Sequence, residues 1–368
     1  MIYLDYAASA PVYREVCALT AELAANVYGN PSSLHAAGTA ARKVLRESRQ
    51  TLAFLLNVPP ECVIFTSGGT ESNNTALMSV RNAGRRNIVI AANEHHSVIN
   101  AARELKKLGF TVTEVLPDRC GRISPDAVSK ALSRDTALLS VHAVNNETGT
   151  IQDVAAMSEL AHSVGALYHC DAVQSFGHVS LPLECADLVS LSAHKFGGGR
   201  GIGVLVSKPN ALSAPLLFGG GQEFSLRAGT ENVPAIAGCA LAAKMAADEL
   251  ESEQKRLNKL SELLLSRLYE KLPAVELTSG EALRAPGILS LRFPGKSADE
   301  LVVRLNELGI CISAGAACSL GDSSPSHVLT AMGLSPKQAR ETVRMSPGRL
   351  TTKDEIEKTA DAIISICK

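Results

Sequence analysis

Three polar segments follow apolar runs in this sequence, and each carries residues that could bind a ligand or take part in chemistry. The first is residues 67–72 (SGGTES), which follow the apolar run 62–66 and open a helical pattern. Glycines let a backbone approach a ligand closely, and the free N–H groups at a helix start favour an anion such as phosphate. A tight strand-to-helix turn is the alternative interpretation. The segment is not a Walker A loop, because no Gly-Lys-Ser/Thr follows it.

Asp171 and Lys195 each come just after an apolar run. A carboxylate at the end of a buried strand needs a partner, which is either a helix start that it caps or a ligand. Lysine is seldom fully buried, and desolvation lowers its pKa and suits the amine to Schiff-base chemistry. The glycines that follow Lys195 leave room for a planar group. A structural lysine with its head in water is the alternative.

Taken together, these sites match the needs of pyridoxal 5′-phosphate (PLP). Its phosphate needs N–H donors, its pyridine nitrogen needs an anionic partner, and its aldehyde needs an amine. His95 lies in residues 94–97 (EHHS) after another apolar run, so its imidazole could lie over the ring. Adjacent histidines can also mark a turn or a metal site. We expect no metal, because consecutive residues face different ways and no companion ligand spacing is present.

The sequence contains nine cysteines and no C-x-x-C, so neither a disulfide framework nor a zinc knuckle is expected. Cys318 lies in residues 313–325 (SAGAACSLGDSSP), whose small polar residues, glycines and proline are typical of a surface loop. An exposed thiol is a better candidate nucleophile than a buried one. The other cysteines fall in apolar strand patterns (Cys62, Cys170, Cys311), on apolar helical faces (Cys17, Cys239) or in turn-like and terminal positions (Cys120, Cys185, Cys367).

Strand and helix patterns alternate between residues 62 and 206, and the polar sites fall at strand ends. The predicted strands are 62–66, 87–91, 111–115, 137–141, 166–170, 188–192 and 203–206, and the helices between them are 71–81, 98–108, 125–132 and 154–164. This alternation predicts an α/β fold with a mostly parallel sheet covered on both faces. In such a sheet, ligands bind outside the carboxyl ends of the strands.

A smaller α+β unit is predicted after a long helical pattern over residues 234–272. That pattern changes from alanine-rich to charged near residues 248–256, where we place the domain boundary. The remaining predicted elements are strands at 275–278 and 288–293 and helices at 298–308, 326–332, 336–342 and 353–366.

Composition excludes several classes of protein. The 368 residues are 46% hydrophobic and 20% charged, as in an ordinary globular protein. The net charge of −1, the 4% of aromatic residues and the absence of Trp disfavour nucleic-acid binding. The most apolar stretch, residues 235–243, is too short to span a bilayer, and no signal peptide is recognised. We therefore predict a soluble, cytoplasmic protein.

With further motifs, these residues resemble the cysteine desulfurases, which are PLP enzymes of fold type I related to the class V aminotransferases. The matching segments are residues 3–7 (YLDYA), 29–35 (GNPSSLH), 66–72 (TSGGTES), 94–95 (EH), 144–149 (VNNETG), 169–175 (HCDAVQS), 192–195 (SAHK), 219–221 (GGG), 227–231 (RAGTE), 313–318 (SAGAAC) and 343–346 (VRMS). The resemblance runs almost end to end. The long loop around Cys318 resembles the branch of the family that serves iron–sulfur cluster assembly.

The resemblance implies a role for each matching residue. Lys195 would form a Schiff base with the cofactor and move protons, Asp171 would pair with the pyridine nitrogen, Gln174 would contact the ring hydroxyl, and His95 would stack on the ring. Gly69, Thr70, Ser192 and His194 would hold the phosphate, and Thr230 would reach the phosphate of a second subunit. Asn146 and Arg344 would bind the substrate carboxylate, and Cys318 would accept sulfur as a persulfide.

The implied activity is conversion of L-cysteine to L-alanine, with transfer of the sulfur to a protein acceptor in iron–sulfur cluster or thiocofactor assembly. The implied protein is a homodimer, with a PLP-binding large domain over residues 15–252 and a small domain over residues 1–14 and 253–368 that carries the cysteine loop. The alternatives are another PLP reaction, such as transamination or selenocysteine lysis, and a catalytically idle scaffold that binds PLP.

Overall fold

The computed structural model describes residues 1–315 and 324–368. The described strands form sheets of seven, four and two strands. In chain order they are β1 (Ile2–Tyr3), β2 (Val63–Thr66), β3 (Asn87–Ala91), β4 (Thr111–Val115), β5 (Thr136–Ser140), β6 (Leu167–Asp171), β7 (Leu188–Ser192), β8 (Gly203–Ser207), β9 (Glu276–Leu277), β10 (Leu289–Arg292), β11 (Ile310–Cys311), β12 (Ser313–Ala314) and β13 (Thr342–Met345).

The α-helices surround these sheets. They are α1 (Arg14–Asn26), α2 (Ala36–Leu55), α3 (Gly69–Ser79), α4 (His96–Lys107), α5 (Pro125–Ala131), α6 (Val154–Ser163), α7 (Val233–Lys271), α8 (Ala298–Glu307), α9 (His327–Ala331), α10 (Pro336–Arg340) and α11 (Lys353–Cys367). Within the described residues, no helix combines the length and the apolar character that crossing a bilayer requires.

The seven-stranded sheet has the order β2-β8-β7-β6-β5-β3-β4. Strand β8 runs antiparallel to both of its neighbours, and the other neighbouring strands are parallel. Alternate residues of β3 enter different apolar cores, with Val89 and Ala91 in one and Ile88 and Ile90 in the other. Both faces of the sheet are therefore covered, and the predicted mostly parallel α/β sheet is confirmed.

The strand ends that carry polar residues lie at one edge of this sheet. Asp171 is the last residue of β6, one position later than the predicted strand end, and Ser192 is the last residue of β7. A single helical turn at Ala193–Lys195 follows β7 directly. Strands β6 and β7 are parallel neighbours, so Asp171 and Lys195 emerge on the same side of the molecule.

A second core lies around the four-stranded sheet, in which β9, β10, β13 and β12 pair antiparallel. Helix α7 joins the two cores, because its Ala246 packs in the first and its Leu257 packs in the second. The start of the chain also belongs here, since β1 pairs with β11. The predicted domain limits at residues 14/15 and 252/253 stay a prediction.

Several elements differ from the sequence prediction. Helices α1 and α2 precede the first predicted strand and were not anticipated. The helix expected over residues 336–342 ends at Arg340 as α10, and Thr342 begins strand β13. Strand β13 lies between β10 and β12, so tertiary pairing decides the conformation of this short segment.

Candidate active site

A cavity of about 390 Å³ opens at the carboxyl ends of the parallel strands. It is within the size range of small-molecule sites. Ten of the predicted site residues line it: Gly69, Thr70, His95, Asn146, Asp171, Gln174, Ser192, His194, Lys195 and Arg344. The structure thus brings together residues that are spread over much of the sequence.

One end of the cavity is formed by the start of helix α3 and the end of strand β7. No side chain caps the first turn of α3, so its N–H groups remain available to an anion. The backbone packs tightly here, since a Cβ atom at Gly203 would come within 2.5 Å of the Gly68 Cα atom. Burial lowers the pKa of His194 to about 4, and the charges of Lys195 and Arg200 act in the same direction. A neutral His194 can donate one hydrogen bond to a phosphate.

A chain of hydrogen bonds fixes Asp171 and His95 at the wall of the cavity. The Asn73 Nδ2 atom donates to the Asp171 Oδ2 atom at 2.7 Å and to the Ser97 Oγ atom at 2.8 Å. Ser97 in turn contacts the His95 Nδ1 atom at 2.7 Å, and the Val173 N–H donates to Asp171 Oδ1 at 3.0 Å. Asn73 and Ser97 were not predicted from the sequence, although Asn73 lies one helical turn beyond Gly69.

Burial lowers the pKa of His95, and the carboxylate of Asp171 opposes that shift. The imidazole is therefore neutral at pH 7. Its Nδ1 atom accepts the Ser97 backbone N–H at 3.1 Å, which leaves Nε2 as the protonated nitrogen of the neutral ring. A neutral, oriented imidazole is suited to stacking on a planar cofactor.

The amine of Lys195 lies at the wall of the cavity. Its Nζ atom donates to the carbonyl oxygens of Ala7 at 2.7 Å and Ala8 at 3.0 Å. Gln174 donates from Nε2 to the same Ala7 carbonyl at 2.7 Å. The first residues of the chain therefore form part of the site.

Arg344 enters the cavity from strand β13. Its Nη2 atom pairs with the Asp5 Oδ1 atom at 2.8 Å, and its Nη1 atom donates to the Asn146 carbonyl at 2.9 Å. The Arg344 Nε atom is buried and has no hydrogen-bond partner among the described residues. A buried donor of this kind suits the carboxylate of a small ligand.

Two predicted site residues remain, Thr230 and Cys318. Thr230 is exposed and lines a separate cavity of about 200 Å³ with Ser67 and Arg227. Cys318 lies outside the described residues. Among the other cysteines, Cys62, Cys170 and Cys239 are buried as predicted. The prediction was wrong for Cys17, which is exposed, and Cys311 is only half-buried.

The thiols in the large core are poor nucleophiles. Burial raises the pKa of Cys239 to about 12 and raises the pKa of Cys170 still further. Burial also raises the pKa of Cys62, with the Glu61 carboxylate acting in the same direction. None of these thiols is ionised near neutral pH.

The residues present fit PLP. The uncapped start of α3 suits its phosphate, the buried Asp171 carboxylate suits a protonated pyridine nitrogen, and the Lys195 amine suits its aldehyde. The unpartnered Arg344 Nε atom also indicates that the cavity is built to receive a further acceptor group.

Comparison with known proteins agrees with this geometry. The family model of class-V aminotransferases matches residues 2–359. The cysteine desulfurase IscS of Dictyoglomus turgidum is 36% identical, over 98% of this chain and 93% of that protein. A solved NifS-like protein superposes with a TM-score of 0.92 at 33% identity, covering 99% of this chain and 98% of its own.

A second solved structure, of SspA in complex with cysteine, has a TM-score of 0.84 at 31% identity and covers 96% of this chain and all of its own. These similarities extend along nearly the whole sequence and include both apolar cores. The chain belongs to the class-V aminotransferase family and, within it, to the PLP-dependent cysteine desulfurases.

Proposed function

We propose that this protein removes sulfur from L-cysteine, leaves L-alanine and holds the sulfur as a persulfide on Cys318 for transfer to a protein acceptor. One observation carries the choice of substrate. Lys195 and Arg344 line the same cavity, and the buried Arg344 guanidinium has an unpartnered Nε atom, so an amino acid could be held by its carboxylate beside the Lys195 amine. The relative SspA was solved with cysteine bound, which supports the same substrate class.

Different residues of the chain would bind different parts of the cofactor. Gly69, Thr70, Ser192 and His194 would hold the phosphate, and Gln174 would contact the ring hydroxyl. Asp171 would bind the pyridine nitrogen, and His95 would stack on the ring. The hydrogen bonds from Asn73 keep the Asp171 carboxylate oriented. Bound PLP supplies an electron sink for the negative charge that develops at the substrate Cα atom.

Lys195 moves the proton in this scheme. Its Nζ atom lies at the wall of the cavity, and two backbone carbonyls hold it there. When its amine is neutral, Nζ takes the proton from the substrate Cα atom. Arg344 and Asn146 orient the substrate through its carboxylate, so that the proton faces Lys195.

The sulfur leaves through attack by a thiolate. The Cys318 sulfur attacks the substrate sulfur, the C–S bond breaks as the S–S bond forms, and the carbon takes a proton to become the methyl group of alanine. The persulfide then passes its outer sulfur to an acceptor thiol, and Cys318 leaves as a thiolate. No external oxidant or reductant is needed for this transfer.

The proposal is tested by a Cys318→Ser variant incubated with L-cysteine and a thiol reductant, measuring sulfide and alanine together. We expect the variant to bind PLP and L-cysteine, to release almost no sulfide and to lose the persulfide mass on the peptide that contains residue 318. Cys17→Ser and Cys120→Ser are the matched controls, since Cys17 is exposed and Cys120 is half-buried. Normal sulfide release by Cys318→Ser would contradict the assignment.

We also propose that the enzyme is a homodimer with shared sites. Thr230 is exposed, and so are the nearby aromatic side chains of Phe218 at 78% and Phe224 at 52%. In the proposed dimer a second copy covers these rings, and Thr230 reaches the partner's phosphate site. The sulfur acceptor in this proposal is a protein of iron–sulfur cluster or thiocofactor assembly in the cytoplasm. The proposed domains are residues 15–252 for the large domain and residues 1–14 and 253–368 for the small domain.

The shared site is tested by mixing inactive Lys195→Ala and Thr230→Ala chains and allowing subunits to exchange. Half of the dimers would be mixed, and each mixed dimer would hold one intact site, so activity should return to about a quarter of the wild-type value. No recovery after exchange, or a monomer by light scattering, would contradict the shared site.

A further inference from the structure

A histidine that was not among the predicted site residues lines the cavity. His142 follows strand β5, and Glu94 follows the neighbouring strand β3. The His142 Nδ1 atom lies 3.4 Å from the Glu94 Oε2 atom. The His142 side chain is 5% exposed and the Glu94 side chain is fully buried. They form a buried carboxylate–imidazole pair, in which His142 lies at the cavity wall and Glu94 lies behind it.

The other nitrogen of this imidazole has no protein partner. Among the described residues, the His142 Nε2 atom makes no hydrogen bond, although it is buried. His142 lines the 390 Å³ cavity, so the Nε2 atom can be satisfied by a molecule that the cavity holds. Most buried polar groups in proteins are paired, and an exception next to a ligand cavity suggests a ligand contact.

The backbone pairing locates His142 relative to the cofactor groups. The Val141 N–H donates to the His169 carbonyl, and the Ala143 N–H donates to the Asp171 carbonyl. Since Ser140 is the register partner of His169, His142 lies opposite Asp171. Opposite residues of neighbouring strands project from the same face of a sheet. The His142 side chain therefore projects from the same face of the sheet as the Asp171 carboxylate, which is assigned to the pyridine nitrogen.

The phosphate-binding residues lie on the other side of Asp171. They follow β2 and β7, whereas β5 is the neighbour of β6 on the opposite side. We propose that His142 is a further cofactor-binding residue, which contacts the pyridine ring of PLP at its Asp171 end, and that Glu94 is a positioning residue that orients the imidazole.

The electrostatics of the pair agree with this role. Burial raises the pKa of Glu94, the charge of His142 lowers it, and Asp171 raises it again. With the Glu94 carboxylate beside Nδ1, the Nδ1–H tautomer is favoured, which leaves Nε2 as a hydrogen-bond acceptor. The other titratable groups that line the cavity are Lys195, Arg344, Glu147 and four further histidines, and none of them is assigned to the ring nitrogen.

The test measures the equilibrium affinity of the apoprotein for PLP in His142→Leu and His142→Gln variants. We expect His142→Leu to bind PLP about tenfold more weakly, because it loses one polar contact. His142→Gln should recover most of the affinity, since its amide can replace the Nε2 atom. Affinity for inorganic phosphate should not change, because the contact is to the ring. The absorption maximum of bound PLP should shift in the leucine variant.

His169→Gln is the matched control. His169 is a fully buried histidine on β6, but both of its ring nitrogens contact serine hydroxyls and it does not line the cavity. Its replacement should leave the PLP affinity unchanged. If His142→Leu fails to fold, the Glu94→Gln/His142→Leu double variant removes the buried carboxylate and serves in its place.

The role of Glu94 is tested by ¹⁵N NMR of histidine-labelled apoprotein. The His142 signals are identified by their loss in His142→Gln, and Glu94→Gln should move them away from the Nδ1–H tautomer. Unchanged PLP affinity and an unchanged spectrum in His142→Leu would overturn the ring contact. An equal loss of affinity for PLP and for phosphate would also overturn it, since the contact would then be to the phosphate. Unchanged His142 signals in Glu94→Gln would overturn the positioning role.

Discussion

Replacement of Arg344 by lysine tests what the guanidinium group contributes beyond its positive charge. In the structure, Arg344 uses Nη2 for Asp5 and Nη1 for the Asn146 carbonyl, and Nε is left over in a side chain that is only 2% exposed. A lysine keeps the positive charge, but its single ammonium cannot hold both anchors and also present a donor to the substrate. The variant should therefore lose at least one charge-assisted hydrogen bond to the substrate carboxylate.

A hydrogen bond to a charged group contributes about 1.5–3 kcal/mol, which is roughly a tenfold to hundredfold change in binding. The carboxylate does not react, so its contact is equally strong in the ground state and in the transition state. We therefore expect Arg344→Lys to raise KM for L-cysteine by this factor and to change kcat little. Sulfide and alanine are measured together over a range of L-cysteine concentrations.

Cysteamine, which lacks the carboxylate, separates this role from a general disturbance of the site. Its binding, followed by the absorbance change of the bound cofactor, should be the same in wild type and Arg344→Lys. Arg292→Lys is the control substitution, because Arg292 lies opposite Thr342 on the neighbouring strand β10 and pairs with Glu276 and Glu341 away from the cavity. Equal weakening of L-cysteine and cysteamine would refute the assignment of Arg344 to the carboxylate.

Two further predictions concern stability. The Arg49 guanidinium makes two hydrogen bonds to the buried Glu223 carboxylate, at 2.8 and 2.7 Å. Glu223→Gln should therefore lower the free energy of unfolding of the apoprotein by about 3 kcal/mol, measured by urea unfolding. Glu251→Gln, which removes the exposed pair with Lys255, should change it by less than about 0.5 kcal/mol. Burial lowers the pKa of His169 to about 4, below its unfolded value near 6.5. As the pH falls from about 6.5 to 4, the unfolded chain binds a proton at this histidine and the folded chain does not, so the folded state loses stability. Over that range the wild type should lose about 3 kcal/mol more than His169→Gln; equal losses would show that His169 does not titrate there.

The sequence was most informative where chemistry coincides with strand ends. Asp171 and Lys195 were found because each follows an apolar run, and parallel strands bring their carboxyl ends to one edge whatever the details of packing. The roles of Asn146 and Arg344 came from the resemblance to a family. Arg344 lies on β13, but the helix predicted over residues 336–342 included Thr342, which is the first residue of that strand.

The residues that support the site were missed for a physical reason. Asn73 and Ser97 lie on different helices and form their hydrogen bond only in the folded chain, so no spacing in the sequence connects them. His142 likewise pairs with Glu94 across two strands. Cys17 was assigned to an apolar helical face. In the structure its neighbour Val16 is the buried residue of that helix, and the Cys17 thiol is exposed.

The first ten residues of the chain have a consequence for the order in which the site is completed. Asp5 pairs with Arg344 across a separation of 339 positions, and the Ala7 carbonyl accepts from Lys195. A ribosome makes Asp5 long before Arg344, so during synthesis this segment has no partner in β13. The strands of the seven-stranded sheet and the α7 residues that pack on it all precede β13 in the chain, so they are made while the carboxylate-binding wall is still missing. A nascent chain can therefore have a cofactor pocket before it can hold a substrate, and the last strand to be made is the one that completes the enzyme.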